Sequence, residues 1–186
     1  GLMPSASPAD ARTLAILVDN EPGVLARVVG LFSARGYNIE SLTVAETDRA
    51  AHTSRITVVT RGDPATIDQI KSQLDRIVSV RQVIDVTMDP GGVLRELALV
   101  KVRSTGQDRI EALRVSDIFR AKVIDTTLES FIFEVTGASE KIDAFIELVR
   151  PIGLLELSRT GVLSIHRGVE TDLSAVMTPA PIASTR

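Results

Sequence analysis

Residues 14–18 are all apolar, with Leu14, Ile16 and Val18 on one face and Ala15 and Leu17 on the other, which predicts a strand over residues 13–18 covered on both sides. Leu25, Val28, Val29 and Phe32 then recur at helical spacing until Gly36, a residue suited to closing a helix. Pro22 is expected in the first turn of that helix, where its missing N–H costs little. Period two returns over residues 39–45 and 55–60, two strands expected to pair as a hairpin around a polar loop with Thr47, Asp48, Arg49 and His52. Asp63-Pro64 reads as an N-cap followed by proline at the first helical position, and Ile67, Ile70, Leu74 and Ile77 mark a second amphipathic helix. Residues 80–87 complete this half as a fourth strand.

The order is βαββαβ, which gives a four-stranded antiparallel sheet with both helices on one face and leaves the other face in need of cover. A partner surface is therefore expected. Met88-Asp89-Pro90-Gly91-Gly92 interrupts both periodicities and marks a boundary. Beyond it the same order is predicted again: a strand at 97–102, a helix at 108–119, strands at 122–127 and 130–136, a helix at 141–149 and a strand at 154–165 broken near Gly161. The chain reads as α+β, two tandem ferredoxin-like βαββαβ domains with antiparallel sheets and helices on one face. The expected boundaries are a flexible N-terminus at 1–11, domains at 12–88 and 95–168, a linker at 89–94 and a flexible tail at 169–186, where Pro, Ser and Ala accumulate.

Composition narrows the function more than the fold. At 186 residues and 44% hydrophobic, the chain can bury a sizeable core. Lys and Arg total 21 against 24 Asp and Glu, so no positive field draws in nucleic acid, and aromatics at 3% supply no platform for stacking bases. No apolar run reaches the roughly 18–20 residues of a membrane span. The absence of cysteine removes disulfides and thiolate chemistry, and a cytoplasmic location is expected.

Catalytic chemistry is hard to find. The 2 histidines, His52 and His166, sit in no nucleophile motif, offer no zinc-ligand spacing and read as surface residues. Asp89-Pro90-Gly91-Gly92 and Ser104-Thr105-Gly106-Gln107 fit no phosphate-binding fingerprint and read as linker and helix cap. Carboxylate pairs such as Asp19 with Glu21, or Asp63 with Asp68, read as solvated turn residues. Asn20-Glu21-Pro22-Gly23 stands apart. A helix start offers unpaired N–H donors and partial positive charge, Gly23 admits a ligand close to the backbone, and Asn20 both donates and accepts. Such a turn suits the carboxylate and ammonium of an amino acid. The same residues serve equally if Asn20 or Glu21 caps the helix, and Asn38 equally as a turn residue, so the physical reading leaves both uses open.

The stretch from Asn20-Glu21-Pro22-Gly23-Val24-Leu25 through Leu31-Phe32-Ser33-Ala34-Arg35-Gly36-Tyr37-Asn38-Ile39-Glu40-Ser41-Leu42 closely resembles the small regulatory subunits of acetolactate (acetohydroxyacid) synthase, which carry an N-terminal ACT domain. Arg95-Glu96-Leu97-Ala98-Leu99-Val100-Lys101-Val102, Ile118-Phe119-Arg120-Ala121-Lys122-Val123-Ile124-Asp125 and Ser158-Arg159-Thr160-Gly161-Val162 are similar to the C-terminal domain of that family. The resemblance spans about residues 12–168 and implies no catalytic residue, metal or cofactor in this chain. It implies a homodimer joined through its ACT domains and a large catalytic subunit as partner, carrying thiamine diphosphate, Mg and FAD in a holoenzyme that is a transferase. That subunit is activated, and feedback inhibition by valine, or by leucine or isoleucine, is conferred on it. By position, Asn20 and the backbone of Gly23, Val24 and Leu25 would hold the effector, with Asn38 and Ile39 supplied by the neighbouring chain. The other reading is a stand-alone ACT-type sensor controlling another enzyme or a transcription factor, although no basic helix-turn-helix is evident.

Overall fold

The computed structural model describes residues 11–48 and 50–169. Arg49 of the expected hairpin loop, and the extensions 1–10 and 170–186, lie outside the described residues. Along the chain run β1 (Ala11–Asp19), α1 (Val24–Ala34), β2 (Ser41–Asp48), β3 (Thr53–Arg61), α2 (Pro64–Asp75) and β4 (Val80–Asp85). There follow β5 (Gly92–Arg103), α3 (Gln107–Ile118), β6 (Lys122–Thr126), β7 (Ser130–Gly137), α4 (Ser139–Gly153), β8 (Leu154–Arg159) and β9 (Leu163–His166). The βαββαβ order occurs twice, in two antiparallel sheets ordered β2-β3-β1-β4 and β6-β7-β5-β8, with β9 paired to β5. The two sheets also share an irregularity, since the register slips between Leu17 and Val18 where β1 meets β4 and between Lys101 and Val102 where β5 meets β8.

In the first unit β1 is central, pairing β3 on one side and β4 on the other. Leu14, Ile16 and Val18 face Val28 and Phe32 of α1 and Ile67, Ile70 and Leu74 of α2, as the two apolar periods require. On the opposite face Ala15, Leu17 and Thr57 are buried. Exposed apolar surface lies at the sheet margin, where Val44 of β2 is 47% exposed. Ile77 lies past the end of α2 yet still packs on this core. The fourth strand stops at Asp85 rather than 87, because the Asp85 carboxylate accepts the Thr87 N–H (3.1 Å) and turns the chain into a 3₁₀ turn, Val86–Met88.

The second unit builds its core from alternate residues of β5 and β7, Ala98, Val100, Val102, Phe131, Phe133 and Val135, against Ala112 and Val115 of α3 and Ile142, Phe145 and Val149 of α4. Gly161, at φ 86, separates β8 from β9 where the break is expected. β5 begins at Gly92, so the segment between elements narrows to Asp89, Pro90 and Gly91. The second compact unit is Leu94–Leu163, and the chain from Ser164 rejoins the first unit. Two side-chain contacts and one backbone bond hold the returning segment. Arg55 Nη2 donates to Ser164 Oγ (2.9 Å), His166 Nδ1 meets Asp89 Oδ2 (2.6 Å) and Arg167 N–H donates to Gly91 O (2.9 Å). A Cβ at Gly91 would collide with the His166 imidazole, so a larger residue there would have to displace the ring from Asp89. His166 is thus a half-buried partner of Asp89 rather than a surface residue.

Asp63 caps α2 as its sequence predicts, accepting the Thr66 N–H at 2.7 Å ahead of Pro64 at the first helical position. That bond, with the Thr66 side chain, holds the Asp63 carboxyl below its ordinary value. Its folded-state pKa being depressed, its contribution is present above the unfolded value and is lost as pH falls through the folded one. Asp63→Ala should lower the thermal midpoint at neutral pH, and the gap from the parent should close in acid when melting is followed by circular dichroism.

Candidate functional site

β1 ends at Asp19, and the chain must turn back to lay α1 on the sheet. Gly23 makes that turn as the N-cap of α1, at φ 82 and ψ −1, in the left-handed region where L side chains are strained. An ideal Cβ there meets nothing within 4 Å, so conformation rather than space calls for glycine. No side chain caps the helix. This excludes the capping use of Asn20 or Glu21 and places Pro22 outside the helix, ahead of the cap, rather than in its first turn.

The backbone donors can be followed one by one. Val24 N–H reaches Glu21 O at 3.3 Å, and Arg27 N–H makes the first full helical bond, to Gly23 O at 3.1 Å. Among the described residues the N–H groups of Gly23, Leu25 and Ala26 have no partner, and they converge on one open helix start with partial positive charge. The backbone donors are therefore Gly23, Leu25 and Ala26. Val24 has its N–H engaged and its side chain buried in the core, so it anchors the turn from beneath. Leu25 is 38% exposed beside the amides. Asn20 is exposed, with its backbone N–H bound to His52 O (2.7 Å) and its side-chain amide unpartnered among the described residues.

The turn is braced from a second direction. Ser79, on the approach to β4, accepts the Asp19 N–H (2.8 Å) on its carbonyl and donates its hydroxyl to Glu21 Oε2 (2.7 Å). Sequence reading missed both Ser79 and Ala26: the first acts across 58 positions of chain, and the second differs from any helical alanine only in where the cap falls.

Asn38 and Ile39 lie elsewhere. Asn38 is exposed and accepts Thr60 Oγ1 (2.6 Å) on its carbonyl, while Ile39 packs partly into its own core. Thr60 pairs with Arg12 at the start of β1, whereas Asn20 follows Asp19 at its end. The length of β1 from Arg12 to Asp19 separates them, about 20 Å at a rise of roughly 3.3 Å per residue. One chain therefore does not bring Asn38 and Ile39 to Asn20 and Gly23. Among the described residues no group of three His, Cys, Asp or Glu is placed to hold a metal ion, and no helix is long and apolar enough to cross a membrane.

Comparison with known proteins bears on both units. Residues 14–82 match the family described as the AHAS small subunit-like ACT domain, and residues 95–168 match the one described as the small subunit of acetolactate synthase. The chain is 46% identical over 156 residues to a probable acetolactate synthase small subunit of Archaeoglobus fulgidus, covering 84% of this chain and 96% of that protein. It is 43% identical over 158 residues to the acetolactate synthase isozyme 3 small subunit of Escherichia coli, with 84% and 96% covered. The crystal structure of the acetolactate synthase small subunit from Thermotoga maritima superposes with a TM-score of 0.75 at 39% identity, covering 86% of this chain and 98% of that one.

Proposed function

Since the chain belongs to the acetolactate synthase small-subunit family, whose members imply a catalytic large subunit as partner, we infer that it activates that subunit and makes it sensitive to valine. The observation that carries this reading is the uncapped start of α1, where the Gly23, Leu25 and Ala26 amides converge beside the unpartnered side chain of Asn20. A carboxylate accepts from such amides, and the Asn20 carboxamide oxygen accepts from an ammonium group. An α-amino acid carries both.

The second half of the site comes from a second copy. Two chains related by a two-fold axis beside β2 run their β2 strands in opposite directions, which brings the Asn38 end of one chain to the Asn20 end of the other. Val44, exposed at that margin, supplies apolar surface to the junction. Asn38 and Ile39 then complete two equivalent pockets, and effector binding requires the dimer. Ile39, half spent in its own core, offers mainly backbone. The domain holding residues 12–88 is the effector-binding and dimerising part, and that holding 95–168 is the weaker candidate for the main activating contact. Thiamine diphosphate, Mg and FAD belong to the large subunit, and the setting is the cytoplasm.

The test is reconstitution. The chain alone should turn over no pyruvate; added to the large subunit it should raise the rate of acetolactate formation, and valine should then lower it. Titrating valine, leucine and isoleucine in parallel ranks the effectors, and sedimentation with and without valine reads the dimer. By linkage, the large subunit must alter valine affinity by the same factor that valine alters subunit affinity, on the order of 1–3 kcal/mol of coupling. Absence of any effect on the large subunit would overturn the reading.

A further inference from the structure

Glu21 poses a problem for an anion site. Its carboxylate belongs to a residue two positions ahead of the Gly23 N-cap, within reach of the amides, and a glutamate near an uncapped helix start is drawn to those amides by hydrogen bonding and by the helix dipole. An internal carboxylate at the amides would compete with any external one. The carboxylate is instead directed elsewhere. Ser79, only 1% exposed, donates its hydroxyl to Glu21 Oε2 at 2.7 Å, and Arg27 Nη1 approaches the same hydroxyl at 3.4 Å from the first turn of α1. The Ser79 carbonyl also holds Asp19 N–H at 2.8 Å, so one residue fixes the turn on both sides of Asn20.

We propose that Ser79 is a positioning residue for the effector site, which keeps the amides of Gly23, Leu25 and Ala26 open by holding the Glu21 carboxylate away from them. The inference rests on the reading of those amides as the effector's carboxylate site. It differs from a packing role in one respect: the damage done by losing Ser79 is repaired by removing the competing charge.

The experiment measures valine binding to the full chain by calorimetry, alongside valine inhibition of the reconstituted complex. Ser79→Ala is expected to weaken valine about tenfold, the scale of one hydrogen bond to a charged group. Ser79→Thr, which keeps the hydroxyl, should bind as the parent does. The double variant Ser79→Ala with Glu21→Gln should recover most of the loss, and Glu21→Gln alone should bind at least as tightly as the parent. Should Ser79→Ala not fold, weaker binding by Glu21→Gln alone overturns the proposal. Unchanged affinity in a folded Ser79→Ala, or no recovery in the double variant, overturns it as well while leaving the amide site standing. If the parent itself binds no branched-chain amino acid, the site reading fails and takes the proposal with it.

Discussion

Gly23→Asp should abolish valine inhibition and leave activation of the large subunit intact. The substitution places a carboxylate on the same chain beside the Gly23, Leu25 and Ala26 amides, where it satisfies the helix start and repels the effector's own carboxylate. An intramolecular competitor acts at high effective concentration, so the inhibition midpoint should rise at least a hundredfold, about 3 kcal/mol. The fold should survive, because an added Cβ meets nothing within 4 Å and a non-glycine residue at φ 82 costs only about 1–2 kcal/mol. Gly23→Ala separates the two effects, since it carries the strain without the charge and should shift the midpoint tenfold or less. Asn20→Ala removes the polar side chain alone and should likewise weaken inhibition without touching activation. Inhibition curves of the three reconstituted variants decide the matter, and a parental midpoint in Gly23→Asp would remove the amides from the effector site.

The largest stability effect is expected in the second unit. Arg159→Leu should lower unfolding free energy by about 2–4 kcal/mol in denaturant titrations. Glu96 is buried to 5% exposure, and its carboxylate accepts Arg159 Nε (2.8 Å), Arg159 Nη2 (2.9 Å) and Ser139 Oγ (3.0 Å). Arg159 Nη1 also donates to Asp143 Oδ1 at 2.7 Å, so one guanidinium ties β8 to β5 and α4. Removing it strands a buried charge. The cost falls somewhat below that of a fully enclosed pair because the Arg159 side chain keeps 30% of its exposure. Arg159→Lys, which offers no bidentate fork, should fall between.

Acid provides the sign. Burial raises the Glu96 pKa, but the Arg159 and Ser139 bonds outweigh it and hold the carboxyl below its ordinary value. In the parent, that stabilisation is therefore present above the unfolded value and lost as pH falls through the folded one. In Arg159→Leu the bonds from Ser139 and the Gly161 backbone remain but the guanidinium no longer offsets burial, so the Glu96 pKa rises and the variant is relieved by protonation. The stability gap should narrow on acidification; a constant gap would mean that the lost energy was packing and not charge.

Much of this was legible in the sequence, for reasons that differ by element. β1, α1 and α2 follow from periodicity, because Leu14, Ile16 and Val18 must face Val28, Phe32, Ile67 and Ile70. The Asp63 cap was legible because it depends on residues three positions apart. The turn at Asn20–Gly23 could be found but not read fully, since whether a side chain caps α1 is decided by Ser79, which draws Glu21 away. Nothing local in the Glu96 and Arg159 segments says that residues 63 positions apart form one buried pair. The break between β8 and β9 was legible from Gly161, which the structure holds at positive φ.

The return of the chain at Ser164 bears on how the protein is made. On the ribosome the first unit emerges first, but its bonds from Arg55 to Ser164 and from Asp89 to His166 wait until Leu94–Leu163 has been translated. The second unit is continuous and can close as soon as its own last strand appears. Chains truncated just before Ser164 should therefore protect the second unit from protease while the first stays more readily cleaved, and restoring the segment from Ser164 should tighten the first.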